Sequence, residues 1–239
     1  MIRANAARYR RDSHGRHGAR KIKAALERKG VTASRRRIGN IMREQGMRAR
    51  TRADGPNRTG RGPTGPGSRT CWTRGSDCYA PHTHPAGDLT YVRVGGGWAY
   101  VCLLAGLANR GIAGHSAGRA RDTGLVLAAF CTLDFPLVGV QVFRTGRGGE
   151  FDDTRIDELL DVLDIKGSPP RRGGPYGNAV VESTDRLLKK ELVYRNRYTT
   201  IGPPRRGPGG CVWWSDDQRL HSALGYRSPK EFTEQGLVL

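Results

Sequence analysis

The change of residue pattern from Leu89 onward restricts the fold more than any other feature of this chain. Three short segments with strand-like composition come first, and these are 89–94, 98–104 and 112–116. After them, segments of helical and strand spacing alternate, and these are 122–133, 138–143, 155–163 and 178–193. A meander of strands followed by alternating helices and strands predicts an α/β fold, with a mixed sheet and helices on its faces.

The stretch 12–50 has a different pattern, which predicts two helices joined by a tight turn. Gly30 is placed to end the first helix, Ser34 to cap the second, and Gly46 to end the second. This outline is that of a helix-turn-helix domain. Two small amphipathic helices also occur in many proteins that bind no nucleic acid, so the outline alone leaves both interpretations open.

The basic charge of the chain is concentrated in its N-terminal part. Residues 1–86 contain 21 Lys and Arg against 5 Asp and Glu, whereas residues 87–239 contain 20 against 17. Arg35, Arg36 and Arg37 follow the capping serine, where the helix dipole favours an anion. A DNA phosphate is the expected partner, and a solvated basic arm without a dedicated partner is the alternative.

Residues 51–86 are rich in Gly, Pro, Arg and Thr and poor in aliphatic side chains. Such a segment buries too little apolar surface to offset its ordering entropy, which predicts a linker. The expected organisation is therefore a helix-turn-helix-like domain over 1–50, a linker over 51–86, and an α/β domain over 87–239.

The sequence has no run of about 18 apolar residues and no apolar segment of the kind that a signal peptide needs. We therefore expect a soluble, cytoplasmic protein without a membrane partner.

Two carboxylates lie at positions that suit metal-dependent chemistry. Asp88 is expected to precede the first strand of the sheet directly, and Glu182 is expected on the outward face of the last long helix. Hard divalent cations prefer oxygen ligands from several separate elements. Without further context, an Asp before a strand is usually a turn or cap residue, and a Glu on a helix usually belongs to a solvated face.

Longer motifs carry a resemblance to a known family. The chain contains RHGARKI from Arg16, DLTYV from Asp88, PYGNAVVES from Pro175, LKKEL from Leu188 and RLHSALGYRSPKEF from Arg219. In this order and spacing they resemble the second reading-frame product of IS-three-type insertion sequences, a family of bacterial transposases. The resemblance runs from about Tyr9 to the C-terminus.

The resemblance implies an RNase H-like integrase core and DNA transposition by metal-dependent phosphoryl transfer. Asp88 would be the first acid and Glu182 the third, holding Mg²⁺ or Mn²⁺. Arg20, Lys21, Lys189 and Lys190 would join the three arginines in contacting DNA, although the two last lysines fit a solvated helix face equally well. Insertion-element ends and target DNA are the implied partners, with a homo-oligomer assembled on DNA and a location at the bacterial nucleoid.

The second acid of the family is missing from its expected position. The family places it 35 intervening residues before the Glu, and that position here is Gly146. Glycine has no ligand atom, so we expect impaired catalysis. Three nearby acids are candidate substitutes: Glu150, Asp152 and Asp153.

Other departures from the family pattern support a degraded copy, and these are Pro85, Gly106, Arg144 and Gly177. The sequence therefore leaves three interpretations: a transposase by descent, a non-catalytic DNA-binding regulator that acts through the basic N-terminal domain, and a relic without function.

Overall fold

The computed structural model describes residues 2–47, 79–146, 148–169, 179–191, 193, 198–202 and 210–239. The chain divides into two compact units. The helical unit comprises Met1–Arg69 and Gln218–Ser228, and the sheet unit comprises Thr70–Asp217 and Pro229–Leu239. Most of the predicted linker, 51–78, and the departure at Gly177 lie outside the described residues.

The helical unit contains α1 (Ile2–Asp12), α2 (Ala19–Glu27) and α3 (Arg35–Glu44). The core of this unit is formed by buried aliphatic side chains of α2 and α3, together with Ala6 of α1. The sequence pattern predicted α2 and α3 but not α1. Ala6 is the one fully buried residue of α1, and Ile2 and Tyr9, which share its helix face at i, i+4, i+7 spacing, pack half-buried against the core. Five of the 11 residues of α1 are charged, so this narrow apolar stripe was missed.

The predicted ends of α2 and α3 are confirmed. The backbone N–H of Arg37 donates a hydrogen bond of 3.1 Å to the Ser34 hydroxyl, which satisfies one of the donors left free at a helix start. Gly30 and Gly46 follow the two helices with φ angles of +72° and +64°. Glycine adopts this left-handed conformation without the strain of a Cβ atom.

In the described part of the sheet unit, five strands form one mixed sheet in the order β3-β2-β1-β4-β5. The strands are β1 (Pro85–Val94), β2 (Gly97–Gly106), β3 (Ile112–Gly118), β4 (Val142–Arg144) and β5 (Lys166–Ser168). β1, β2 and β3 pair antiparallel, whereas β4 is parallel to both β1 and β5. This topology confirms the expected α/β class with a mixed sheet.

Two strand boundaries differ from the prediction. β1 begins at Pro85, so Asp88 lies within the strand and does not precede it. The pairing with β2 extends to Pro85↔Gly106 and holds Ala86 and Gly87 in the sheet despite their low strand propensity. β4 is shorter than the predicted strand 138–143, because a 3₁₀ turn occupies Leu137–Gly139.

Helices cover both faces of the sheet. The helices of the sheet unit are α4 (Thr123–Phe130), α5 (Thr154–Val162), α6 (Ala179–Glu191), α7 (Cys211–Trp213) and α8 (Pro229–Glu234). One core joins α4 and α5 to Cys102, Leu104 and Phe143. A second, on the other face, joins Leu188 of α6 to β1 and β2. None of the helices in the described residues has the length and apolar character to cross a membrane.

Candidate active site and nucleic-acid interface

Asp88 lies in β1, half-buried, on the strand face that is turned toward α6. Strand residues of the same parity share a face. Ala86 packs with Val181 of α6, and Val92 packs with Leu188 of the same helix. Asp88 stands between these two contacts on β1, so its carboxylate is directed at the middle of α6.

The surroundings of Asp88 disfavour its ionised form. Burial raises the pKa of this carboxyl, the backbone N–H of Leu89 lowers it through a hydrogen bond of 2.9 Å to Oδ1, and Glu182 and Glu150 raise it by charge repulsion. A half-buried acid with other acids nearby is a typical feature of a functional site.

Glu182 is exposed in the first turn of α6, as its position in the sequence predicted. α6 packs on β1 and β2, and this packing brings Glu182 within electrostatic range of Asp88. The structure thus brings together the two acids that the sequence assigned to the site, one from the sheet and one from the helix above it.

Gly146, at the position where the family resemblance implies the second acid, lies two residues beyond the end of β4 (Val142–Arg144). β4 is parallel to β1 with Ala86 opposite Arg144, so the end of β4 lies on the same sheet as Asp88. Gly146 is buried, and a glycine supplies no side-chain ligand atom. That an acid at 146 would face Asp88 and Glu182 remains a prediction.

Two of the three nearby candidate substitutes already have partners. The guanidinium of Arg121 donates two hydrogen bonds, of 3.1 and 3.2 Å, to the carboxylate of the buried Glu150. Asp153 accepts hydrogen bonds from the Thr123 hydroxyl at 2.8 Å and from the backbone N–H of Arg155 at 3.0 Å. Arg155 holds the pKa of the Asp153 carboxyl well below its usual range. Asp152 is exposed.

Asp185 is an additional acid at this site that the sequence did not single out. Only 6% of its surface is exposed, and its Oδ1 atom has no hydrogen-bond partner among the described residues. Burial raises the pKa of this carboxyl to about 8, with repulsion from Asp88 and Glu182 acting in the same direction and Lys189 opposing them. The sequence does contain a signal, because Val181, Asp185 and Leu188 have the i, i+4, i+7 spacing of one helix face.

Lys189 and Lys190, the predicted DNA contacts on α6, have different surroundings. The Nζ atom of Lys189 lies 4.2 Å from the centroid of the Tyr91 ring, a cation–π distance. Its charge also lowers the pKa values of Asp88 and Asp185. Lys190 is exposed. The charge of Lys189 therefore favours the ionised forms of Asp88 and Asp185. Its contact with DNA remains a prediction.

The residues present do not fit a pair of metal ions held by three carboxylates. Position 146 has no side-chain oxygen, and Glu150 and Asp153 are engaged by arginines. Within the described ranges, no group of three or more His, Cys, Asp or Glu side chains is arranged to hold a metal ion. We therefore derive no reaction step through two metals in this chain.

The helical unit presents the predicted arginines at one helix start. Arg35, Arg36 and Arg37 are all exposed in the first turn of α3, which contains no acidic residue. At the start of α2, Arg20 is exposed and Lys21 is half-buried. The partial positive charge of the α3 N-terminus adds to the three guanidinium charges, and the combination favours binding of an anion such as a phosphate.

Comparison with known proteins gives matches to both parts of the chain. A family profile described as an HTH-like domain matches residues 2–54. The transposase of insertion sequence element IS904 from Lactococcus lactis is 28% identical over 91% of this chain and 87% of the relative. A putative transposase of IS986/IS6110 from Mycobacterium tuberculosis is 26% identical over 96% of this chain and 86% of the relative. The catalytic core domain of BIV integrase overlays with a TM-score of 0.48 at 15% identity, covering 65% of this chain and 95% of that one.

Proposed function

Because the chain is a relative of the insertion-sequence transposases over more than nine-tenths of its length, we propose that it binds insertion-element DNA and is impaired in the DNA cleavage and joining of transposition. The observation that carries this proposal is the combination of an HTH-like N-terminal match with an integrase-like sheet unit in which Gly146 replaces an acid. The proposed partners are the element ends and target DNA, with a homo-oligomer assembled on that DNA in the bacterial cytoplasm.

DNA binding is assigned to the helical unit. Three exposed guanidinium groups at the start of α3 provide charge without competing carboxylates in the same turn, and Arg20 and Lys21 extend the basic surface along α2. Contacts of this kind go to phosphates and supply affinity largely independent of base sequence. Lys189 and Lys190 are proposed as further contacts of the sheet unit with DNA.

The impairment is assigned to the site around Asp88. Asp88 and Glu182 are the two acids of the implied set that this chain retains, and position 146 supplies no third carboxylate to complete a site for Mg²⁺ or Mn²⁺. Removing one preorganised electrostatic group from such a site costs roughly 10² to 10³ in rate. Since Glu150 and Asp153 could replace the missing acid only by breaking the ion pair of Arg121 or Arg155, this copy is proposed to be inactive or nearly so.

A second candidate is a non-catalytic DNA-binding regulator or relic. The glycine at position 146 favours this candidate, because a chain without the acid could occupy element ends without cutting them. Such a chain would compete with active relatives for the same ends. In this candidate function the helical unit alone binds DNA, and Asp88 and Glu182 have no role.

The test of DNA binding is fluorescence anisotropy on duplex DNA at several salt concentrations, with the full chain in EDTA. Replacing Arg35, Arg36 and Arg37 by Ala is expected to lower the salt slope by about 2 to 3, because each guanidinium group neutralises about one phosphate. The matched control replaces Arg3, Arg8 and Lys23, which have carboxylate partners within the helical unit. Equal decreases in both triple variants would show that total charge, and not the start of α3, mediates binding.

A further inference from the structure

Two aromatic side chains on the β1–β2 hairpin, Tyr91 and Trp98, are exposed and have no role in the proposed function. Tyr91 is 57% exposed and Trp98 is 50% exposed, whereas aromatic side chains of this size are usually well buried. The two ring centroids are 5.2 Å apart, and the ring planes are nearly perpendicular, at 85°. Contiguous apolar surface that remains exposed is a typical sign of an interaction site.

The register of the sheet explains why both rings are exposed together. In the pairing of β1 with β2, Tyr91 lies opposite Tyr100, and Arg93 lies opposite Trp98. Side chains that lie opposite each other share one face of the sheet. On this face Leu89 and Tyr100 pack against the core that contains α4 and α5. Tyr91 and Trp98 extend beyond that core, so this end of the sheet face has no cover.

Three cationic side chains border the two rings. The guanidinium carbon of Arg93 lies 5.5 Å from the centroid of the Trp98 ring, and Nζ of Lys189 lies 4.2 Å from that of the Tyr91 ring. Arg119 donates a hydrogen bond of 3.4 Å to the backbone carbonyl of Trp98. In the part of the chain that the structure describes, no carboxylate forms an ion pair with any of these three cations. The surface around the rings therefore carries positive charge that a bound anion could neutralise.

Exposed rings bordered by cations fit a single-stranded nucleic acid. Its bases stack on aromatic side chains, and its phosphates contact the cations. In a duplex the faces of the bases are covered by neighbouring bases, so stacking on a protein ring requires unpaired bases. A proline-rich peptide also binds exposed aromatic side chains, but its proline residues offer no negative charge to the three cations.

We propose that Tyr91 and Trp98 form a stacking platform for unpaired bases of single-stranded DNA, and that Arg93, Arg119 and Lys189 contact its phosphates. This inference rests on the proposed function, because it takes DNA as the ligand of the chain. It adds the form of the DNA and a surface of the sheet unit that binds it. The platform requires no metal ion and no carboxylate, so it holds whether or not the chain cleaves DNA.

The test compares two oligomers of equal length with the full chain in EDTA: an oligothymidylate of about ten nucleotides, and an abasic oligomer with the same number of phosphates. Fluorescence anisotropy gives the affinity for each. Stacking contributes at least about fivefold in affinity per base, so two rings predict a preference of about 25-fold or more for the oligomer with bases. Tyr91→Ala and Trp98→Ala should each lower this preference about fivefold. Tyr91→Phe and Trp98→Phe keep a ring and should preserve most of it.

The matched control for charge is the variant with Arg35, Arg36 and Arg37 replaced by Ala. It should weaken the binding of both oligomers alike and keep the preference for bases, since these arginines offer no ring for stacking. Urea unfolding checks that each variant is folded, and both rings are exposed, so their removal should not prevent folding.

Three results would overturn the platform. The first is equal affinity of the natural chain for the two oligomers, and the second is an unchanged preference in both Ala variants. The third is an equal loss of duplex binding and single-strand binding in the Ala variants, which would assign the surface to duplex DNA. Because the duplex test reports on the start of α3 and the ratio of the two oligomers reports on the rings, the proposed function and the platform fail separately.

Discussion

Replacing Asp185 by Asn should change how the stability of the sheet unit depends on pH. The pKa of this carboxyl is about 8 in the folded chain against a reference value of 3.8. Between these values the folded state holds a proton that the unfolded state has released, so the free energy of unfolding falls as pH rises from about 4. The decrease is complete once pH has passed about 8.

The size of this effect follows from the shift. At about 1.4 kcal/mol per pKa unit, a shift of about four units corresponds to about 6 kcal/mol. This value is on the order of the total stability of a domain. We therefore expect the stability of the natural chain to fall by several kcal/mol between pH 5 and pH 9 in EDTA, through Asp185 and, in the same direction, Asp88. Asp185→Asn should remove most of this slope and be the more stable chain at the alkaline end.

The assay is urea unfolding followed by tryptophan fluorescence at several pH values, because Trp98, Trp213 and Trp214 all lie in the sheet unit. The control Glu158→Gln removes an exposed carboxylate and should keep the slope of the natural chain. Parallel pH profiles for the natural chain and Asp185→Asn would refute the reasoning, since they would mean that Asp185 is ionised in the folded state at no cost.

Two further variants test the packing that positions the site. A Cβ atom at Gly87 would lie 2.9 Å from Cζ of Phe143 and 3.0 Å from Cε1 of Phe151. Gly87→Ala should therefore destabilise the sheet unit by about 1 to 3 kcal/mol, measured by urea unfolding. An unchanged unfolding midpoint would contradict this prediction. Ser34→Ala removes the cap of α3 and should lower the free energy of unfolding of the helical unit by about 1 kcal/mol, measured by circular dichroism. An unchanged stability would show that the capping hydrogen bond contributes nothing.

The sequence predicts the strands of the sheet well where the local residue pattern and the long-range strand pairing favour the same structure. Strands β1 and β2 were recognisable from β-branched and aromatic residues, and β3, which has a single β-branched residue, was recognised as the third strand of the meander. Ser34, Gly30 and Gly46 identified the ends of α2 and α3 correctly. The start of β1 at Pro85 was not recognisable, because its pairing with Gly106 is a long-range effect that local propensity does not contain. α1 was not recognised because its apolar stripe, Ile2, Ala6 and Tyr9, is narrow and lies among charged residues.

The candidate site was predictable only in part. Asp88 and Glu182 were assigned from the family resemblance, and the structure brings them within electrostatic range of each other. Their role as metal ligands stays a prediction. The role of position 146 also stays a prediction, because β4 ends two residues before it. Asp185 was not predicted, although its i, i+4, i+7 spacing with Val181 and Leu188 indicates that it shares their helix face.

The central claim is that the missing acid at position 146 blocks the chemistry of this chain. The most direct measurement is Mn²⁺-dependent nicking and strand transfer on insertion-element ends, comparing the natural chain with Gly146→Asp. Our account predicts no product from the natural chain and nicked DNA from Gly146→Asp, because the new carboxylate would restore the acid that the family resemblance implies at this position. Nicking by the natural chain at the rate of the variant would contradict the account.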